Sequence, residues 1–315
     1  MRQTVRLIFA ALLTLSLASC KGEKQAYLFS YFAGQNDGLH LAYSYDGKCW
    51  EEFDSTRIFL KPAVGPDKLM RDPSVVRSAD GTFHMVWTTG WHDRCIGYAS
   101  TRDFVSWTEQ KTIPVMEWAP QTRNSWAPEV TWDDASRSYY IYWASTVPGE
   151  DDPEPSEWDK GPAQKIYYTT TKDFETFAPT AEFFSTDFSV IDAAFVRDAT
   201  TGKYIMTLKN ESLGQGGKSI RVTFTDDLSK GFPSEVSAPI TGDYWAEGPS
   251  PLFVGDTLYV YFDKYTQKKY GAVRSLDHGQ TWEDVSDEVS FPKGIRHGTA
   301  IPVPASFIDE LKAKL

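Results

Sequence analysis

Three carboxylates stand at the heads of short apolar runs that lie far apart in the chain. They are Asp72 in Arg71-Asp72-Pro73-Ser74, Asp192 in Ile191-Asp192-Ala193, and Glu247 in Ala246-Glu247-Gly248-Pro249. Two related runs open on Ala127-Pro128-Glu129 and on His297-Gly298-Thr299. Acids gathered in one partly buried place raise the proton affinity of whichever ionises last, so one stays protonated while another stays charged. That division suits glycosidic bond cleavage, in which one acid protonates the leaving oxygen and another activates water. The plainer alternative for each acid is to cap a strand or bond backbone amides. The choice depends on whether the fold makes the three meet.

The elements that must position them repeat. The runs recur every 50 to 65 residues, roughly the spacing of propeller and solenoid repeats. Each leads through a turn into a second strand: Val75-Val76, Ala79-Asp80-Gly81, then Phe83-His84-Met85-Val86-Trp87-Thr88 is the first instance. A further strand, a Ser/Thr-Asp turn and an aromatic residue follow, as in Ile96-Gly97-Tyr98-Ala99-Ser100 up to Trp107. One copy of this outer unit, Leu41-Ala42-Tyr43-Ser44 up to Trp50, precedes the first inner run, and the last inner run lacks its outer half. A ring resolves both. The chain is expected to be all-β, a five-bladed β-propeller of four-stranded blades, closed by pairing of the C-terminal strand with N-terminal strands, which removes exposed sheet edges. A short C-terminal helix is expected over 306–315. Inner strands of a propeller line its axis, so leading residues from different blades face one another there.

Residues 1–20 read as a lipoprotein signal peptide and 21–315 as a single catalytic propeller domain. Arg2 and Arg6 precede an apolar run, and Leu17-Ala18-Ser19-Cys20 resembles a lipobox whose Cys20 would be lipidated. An ordinary secretory signal is the alternative. An exported lipoprotein of the outer membrane is expected, at its periplasmic or its surface face. The net charge of −11 argues against a nucleic-acid partner. Cys49 and Cys95 either pair or stay as buried thiols. The acidic, Pro-rich stretch at 149–162 reads as a solvated loop.

The inner runs resemble those of glycoside hydrolase family 43, five-bladed propellers with two Asp and one Glu at the centre. The resemblance covers nearly the whole of 21–315. It implies that Asp72 is the general base, that Asp192 tunes and orients the acid, and that Glu247 is the general acid of an inverting reaction. For inversion the two carboxyls should lie roughly 6.5 to 9.5 Å apart. Family 43 also carries Arg-His-Gly on the last inner strand, matched by Arg296-His297-Gly298. Its His often helps hold a water-coated divalent ion, commonly calcium, on the axis, so no cofactor is required but a structural calcium at His297 is one reading. A hydrogen-bonded core histidine is the other. Arg296 either bonds sugar hydroxyls or pairs with one of the acids. Trp91, Trp126 and Trp245 are candidates for stacking on a sugar face, with core burial as the alternative. Glu129 is expected to be structural, and Asp277 in Ser275-Leu276-Asp277-His278-Gly279 to serve a β-turn, although that stretch fits the Asp-box of sialidases. An oligosaccharide or polysaccharide substrate is implied. The specific expectation is an exo-acting α-L-arabinofuranosidase; β-xylosidase or galactan-directed activity, or a non-catalytic carbohydrate-binding lipoprotein, are the alternatives.

Overall fold

The computed structural model describes residues 24–34, 37–149, 163–214 and 216–315. Cys20 with its signal segment, and the acidic insertion at 150–162, lie outside them.

Among the described residues, nineteen strands follow in order. β1 (Gln25–Tyr31), β2 (His40–Ser44) and β3 (Glu51–Glu52) come first. β4 (Arg71–Arg77), β5 (Phe83–Thr88), β6 (Ile96–Thr101) and β7 (Lys111–Ile113) form the next antiparallel sheet. β8 (Trp126–Asp133), β9 (Ser138–Ser145), β10 (Lys165–Thr171) and β11 (Ala181–Phe184) form another. Then come β12 (Val190–Arg197), β13 (Tyr204–Asn210) and β14 (Ser219–Thr225), and after them β15 (Glu247–Val254), β16 (Thr257–Lys264), β17 (Lys269–Ser275) and β18 (Glu283–Asp284). Last is β19 (Gly298–Pro304), which pairs antiparallel with β1 from Gln25↔Pro304 to Tyr31↔Gly298 and so becomes the inner strand of the first sheet. β4 touches β8, β8 touches β12, β12 touches β15, β15 touches β19, and β19 touches β4. The ring closes, and the fold is the expected five-bladed propeller.

Apolar packing explains the closure. Strands such as β9 and β13 are buried along their whole length because each blade is covered on both faces by its neighbours. Five hydrophobic clusters fill the junctions. One joins Leu28 and Tyr43 to Val75 and Trp87, the next Val86 to Ile141 and Trp143, the next Tyr142 to Phe195 and Met206. The last two join Val222 to Val260, and Tyr261 to Phe29. Helix α1 (Ala305–Lys314), found where the sequence suggests one, buries Ile308 and Leu311 in the cluster at the closing blade.

Away from the inner-strand heads, a side-chain turn recurs at Ser44–Asp46, Thr101–Asp103, Thr171–Asp173, Thr225–Asp227 and Ser275–Asp277. In each, the Asp carboxylate accepts backbone N–H groups a few residues on, such as those of Gln280 and Thr281 for Asp277. The Asp-box-like stretch is one instance of this device.

Two expectations need correction. The blade built on β12 has three strands among the described residues, not four. Pro233 and Pro239 interrupt the segment after β14, and proline cannot donate to a ladder. The edge of β14 is covered instead by an irregular run in which Ser237 and Ile240 donate to the carbonyls of Val222 and Ile220, both at 2.9 Å. The hydroxyls of Ser237 and Thr241 accept the N–H groups of Val222 and Ile220. Cys49 and Cys95 are both free; Cys49 is exposed and Cys95 half-buried, so they are neither a pair nor two buried thiols.

Candidate active site

Four of the inner strands open on a β-bulge. In β4 the pairing steps from Arg71↔Thr88 to Ser74↔Val86, and in β8 from Trp126↔Ala144 to Glu129↔Tyr142. In β12 it steps from Ile191↔Lys209 to Ala194↔Thr207, and in β15 from Glu247↔Asp263 to Ser250↔Tyr261. The residue after each opening pair is left-handed: Asp72 at φ 51°, Ala127 at 46°, Asp192 at 53° and Gly248 at 59°. Such bulges re-aim side chains, and Asp tolerates this conformation better than most residues.

Asp72 and Asp192 are therefore equivalent, but Glu247 is not. It stands one residue earlier, level with Arg71, Trp126 and Ile191, whereas the sequence pattern treats all three acids as the same leading position. The reason is steric. A Cβ on Gly248 would lie 2.4 Å from Cγ of His297, so the bulge position of β15 admits no side chain.

The structure nevertheless brings the three acids to one end of the axis. Nδ1 of His297 lies 3.3 Å from Oδ1 of Asp72 and 3.9 Å from Oδ1 of Asp192. Oδ2 of Asp72 accepts a hydrogen bond from the Thr88 hydroxyl at 2.9 Å. Oδ2 of Asp192 accepts the N–H of Gly248 at 3.0 Å, which fixes the peptide next to Glu247. Glu247 is held by two cations: Lys209 Nζ at 3.0 Å on one oxygen and Arg296 Nη2 at 2.9 Å on the other. Arg296 also pairs through Nε with Asp263. It thus takes the acid-pairing role of its two expected ones, with about a third of its side chain (34%) still open to solvent.

Burial and charge set the proton affinities. Burial pushes Asp72 up, but His297, Arg71 and the Thr88 hydroxyl outweigh it and hold the carboxyl below its ordinary range. Burial dominates at Asp192 and lifts it to about 6, although His297 and Lys209 pull the other way. His297 is raised to about 9, because Asp192 and Asp72 overcome the penalty of burying its charge. Asp263 is lifted by burial to about 6. The neutral pH state of the hub is an imidazolium between two aspartates.

Glu129, buried at the head of β8, accepts the hydroxyls of Ser74 from β4 and Thr299 from β19, so it ties three blades together, and burial lifts it to about 7. Trp91 and Trp245 are exposed (40% and 45%). Trp126 is half-buried, meets Trp91 edge-on at 6.1 Å, and donates its indole N–H to the Trp91 carbonyl. The Arg71 guanidinium lies over both Phe32 (4.5 Å) and Trp91 (4.8 Å). Trp245 lies 5.9 Å from the Tyr265 ring.

Sequence reasoning missed the supporting residues Thr88, Lys209 and Asp263. They occupy the same rung on the second strands β5, β13 and β16, opposite Arg71, Ile191 and Glu247. It also missed Glu211 and Lys218. Lys209 reaches Glu211 at 2.7 Å, and Glu211 reaches Lys218 at 2.6 Å, all nearly buried. A signal existed: Lys209 and Asp263 end apolar strands, and a charge in such a place must find a partner.

Among the described residues no group of three or more His, Cys, Asp or Glu is arranged to hold a metal directly, and calcium prefers oxygen to a ring nitrogen.

No curated protein matches the chain by sequence. Solved structures match it in fold. One is a point mutant of the GH43 protein BlXynB from Bacillus licheniformis, 18% identical with a TM-score of 0.54 over 73% of this chain and 45% of that one. Another is an α-L-arabinofuranosidase from Lactobacillus brevis, 14% identical, TM-score 0.52, covering 69% and 72% of the two chains. A third is the native Bacillus subtilis arabinanase, 16% identical, TM-score 0.52, covering 74% and 80%. The chain spans less than half of the Bacillus licheniformis protein. The family model of the probable glycosyl hydrolase domain related to glycoside hydrolase family 43 matches residues 23–309, nearly the whole chain, and the protein belongs to that family of glycoside hydrolases.

Proposed function

We propose that the protein is an exo-acting, inverting glycosidase that removes terminal α-L-arabinofuranose from the side chains of plant polysaccharides or oligosaccharides. The observation that carries the reading is the linkage of Asp72, His297, Asp192 and, through the Gly248 peptide, Glu247 at one end of the axis. Asp72, kept charged by its neighbours, takes the proton of an attacking water while the Thr88 hydroxyl orients it. Glu247 protonates the departing oxygen. Asp192 holds the backbone beside Glu247 and so orients it. Arg71, Trp91 and Trp245 offer planar faces at the mouth for a sugar ring. No step needs a metal, and chelation is expected to leave turnover unchanged.

A second reading draws on a specific observation. Both oxygens of Glu247 are occupied by cations, which leaves neither free to face a departing oxygen, and this favours a sugar-binding propeller without turnover. On the catalytic reading, substrate hydroxyls draw Arg296 away and free one oxygen. Aryl α-L-arabinofuranoside, β-D-xyloside and β-D-galactoside substrates separate the choices, with the product anomer read by NMR. Arabinofuranoside turnover with inversion is expected, falling about 10²- to 10⁴-fold in Glu247→Gln. A preferred xyloside or galactoside would move the specificity to those alternatives. Equal turnover by native protein and variant, or none by either, overturns the catalytic reading.

The Leu17-Ala18-Ser19-Cys20 stretch supports a place at the outer membrane through a lipid on Cys20. Incorporation of labelled fatty acid by the native chain, and its absence in Cys20→Ser, is the expected result.

A further inference from the structure

Beside the three-stranded blade, a cleft lies between the connection from β11 to β12, the end of β13, and the irregular run that covers β14. It encloses about 950 Å³, at the upper end of what small-ligand sites span. One part of its wall comes from the residues just before β12, from Asn210 and Ser212 at the end of β13, and from Arg221 near the start of β14, and the run Ser234 to Val236 supplies the rest. That first part is at the same end of the blade as Asp192. Asn210 adjoins Lys209, whose ammonium lies 3.0 Å from Glu247, so the cleft wall is one strand position from a lysine that holds that acid.

The lining has the chemistry of a sugar site. The hydroxyls of Ser185, Thr186, Ser212 and Ser234 supply groups that can both donate and accept. Phe188 supplies an aromatic face, and the Arg221 guanidinium lies 5.5 Å from that ring. Arg221 is fixed there by the carbonyls of Ser237 (2.8 Å) and Gly216 (3.2 Å). Asp187 and Glu235 also border the cleft, so the one cation is offset and the site favours no charged polymer.

We propose that this cleft binds the neutral main chain of a polysaccharide while a side-chain sugar occupies the hub. The proposal rests on the glycosidase reading for the second half of that statement only. It makes the β12 blade a specificity device: the enzyme holds the polymer on one blade and cuts at the axis.

Two variants test it. Phe188→Ala removes the stacking face. Ser234→Arg crowds the cleft from an exposed position and spares the packing beneath Phe188. Native protein and variants are run by affinity electrophoresis through gels containing soluble arabinan, arabinoxylan or polygalacturonate, and assayed in parallel on an aryl glycoside. Retardation by a neutral polymer is expected for the native protein. Both variants should lose about tenfold in affinity, the loss of roughly one stacking contact, with aryl glycoside turnover within twofold of native. No retardation of the native protein, undiminished retardation of both variants, or stronger retardation by polygalacturonate overturns the proposal. If the native protein turns over no aryl glycoside, the glycosidase reading fails, while retardation still reports on the cleft.

Discussion

Glu247 rests on Lys209 and Arg296, cations supplied by two different blades, and Lys209 also bears on Asp192. Asp192, lifted to about 6, must be charged to accept the Gly248 N–H well, so activity is expected to fall as pH drops through about 6. Lys209 is among the charges that hold Asp192 down. Lys209→Met should therefore raise it further and move the acid limb of the kcat/KM profile to higher pH. An unmoved limb would assign that ionisation to another group. Glu129 gives a stability prediction at the same scale. Its folded value of about 7 exceeds the ordinary 4.5, so its protonated form is favoured by folding. Its contribution is complete below pH 4.5 and is lost as pH rises through 7, and Glu129→Gln should flatten Tm against pH across that window. Asp72 was legible in the sequence because Arg71-Asp72-Pro73-Ser74 marks a strand head. Lys209 was not, because nothing local says which acid a buried lysine will meet.

The bulge is the element that turns strands into a site. It puts Asp72 and Asp192 in a left-handed conformation and leaves the matching place in β15 to Gly248. Gly248→Ala combines positive φ with a Cβ 2.4 Å from the His297 ring. The conformational part should cost about 1–2 kcal/mol, and overpacking a further 1–3 kcal/mol or so, with loss of activity as His297 shifts. Gly255→Ala is the control: φ is also 59°, but nothing lies within 4 Å, so only the first cost, about 1 kcal/mol, should appear in thermal unfolding. Equal costs for the two would mean that the contact with His297 is soft. The strand pairs were legible through alternation and turn residues. The absent fourth strand after β14 was harder to see, since Phe232 has the aromatic that ends the outer unit elsewhere and only Pro233 and Pro239 argue against a ladder.

At the scale of the whole molecule, five inter-blade cores make the ring one cooperative body, and β19 is the clasp. A chain ending at 296 would leave the edge of β1 unpaired and remove His297, and it should show no cooperative unfolding transition. A milder probe is Ile308→Ala, which empties a fully buried position beneath the closing blade and should cost about 2–5 kcal/mol. The sequence by itself determined the recurring inner strands, the acids at their heads and the need for a C-terminal strand to complete the first blade, because burial periodicity and turn chemistry are written locally. Only the tertiary structure decided that Glu247 sits one step off its fellow acids, that His297 bridges Asp72 and Asp192, and that Lys209 and Arg296 share Glu247. Those contacts join residues 38 and 49 or more positions apart. Partners so distant meet only when every blade has packed on the next, and the charge each acid carries is set there.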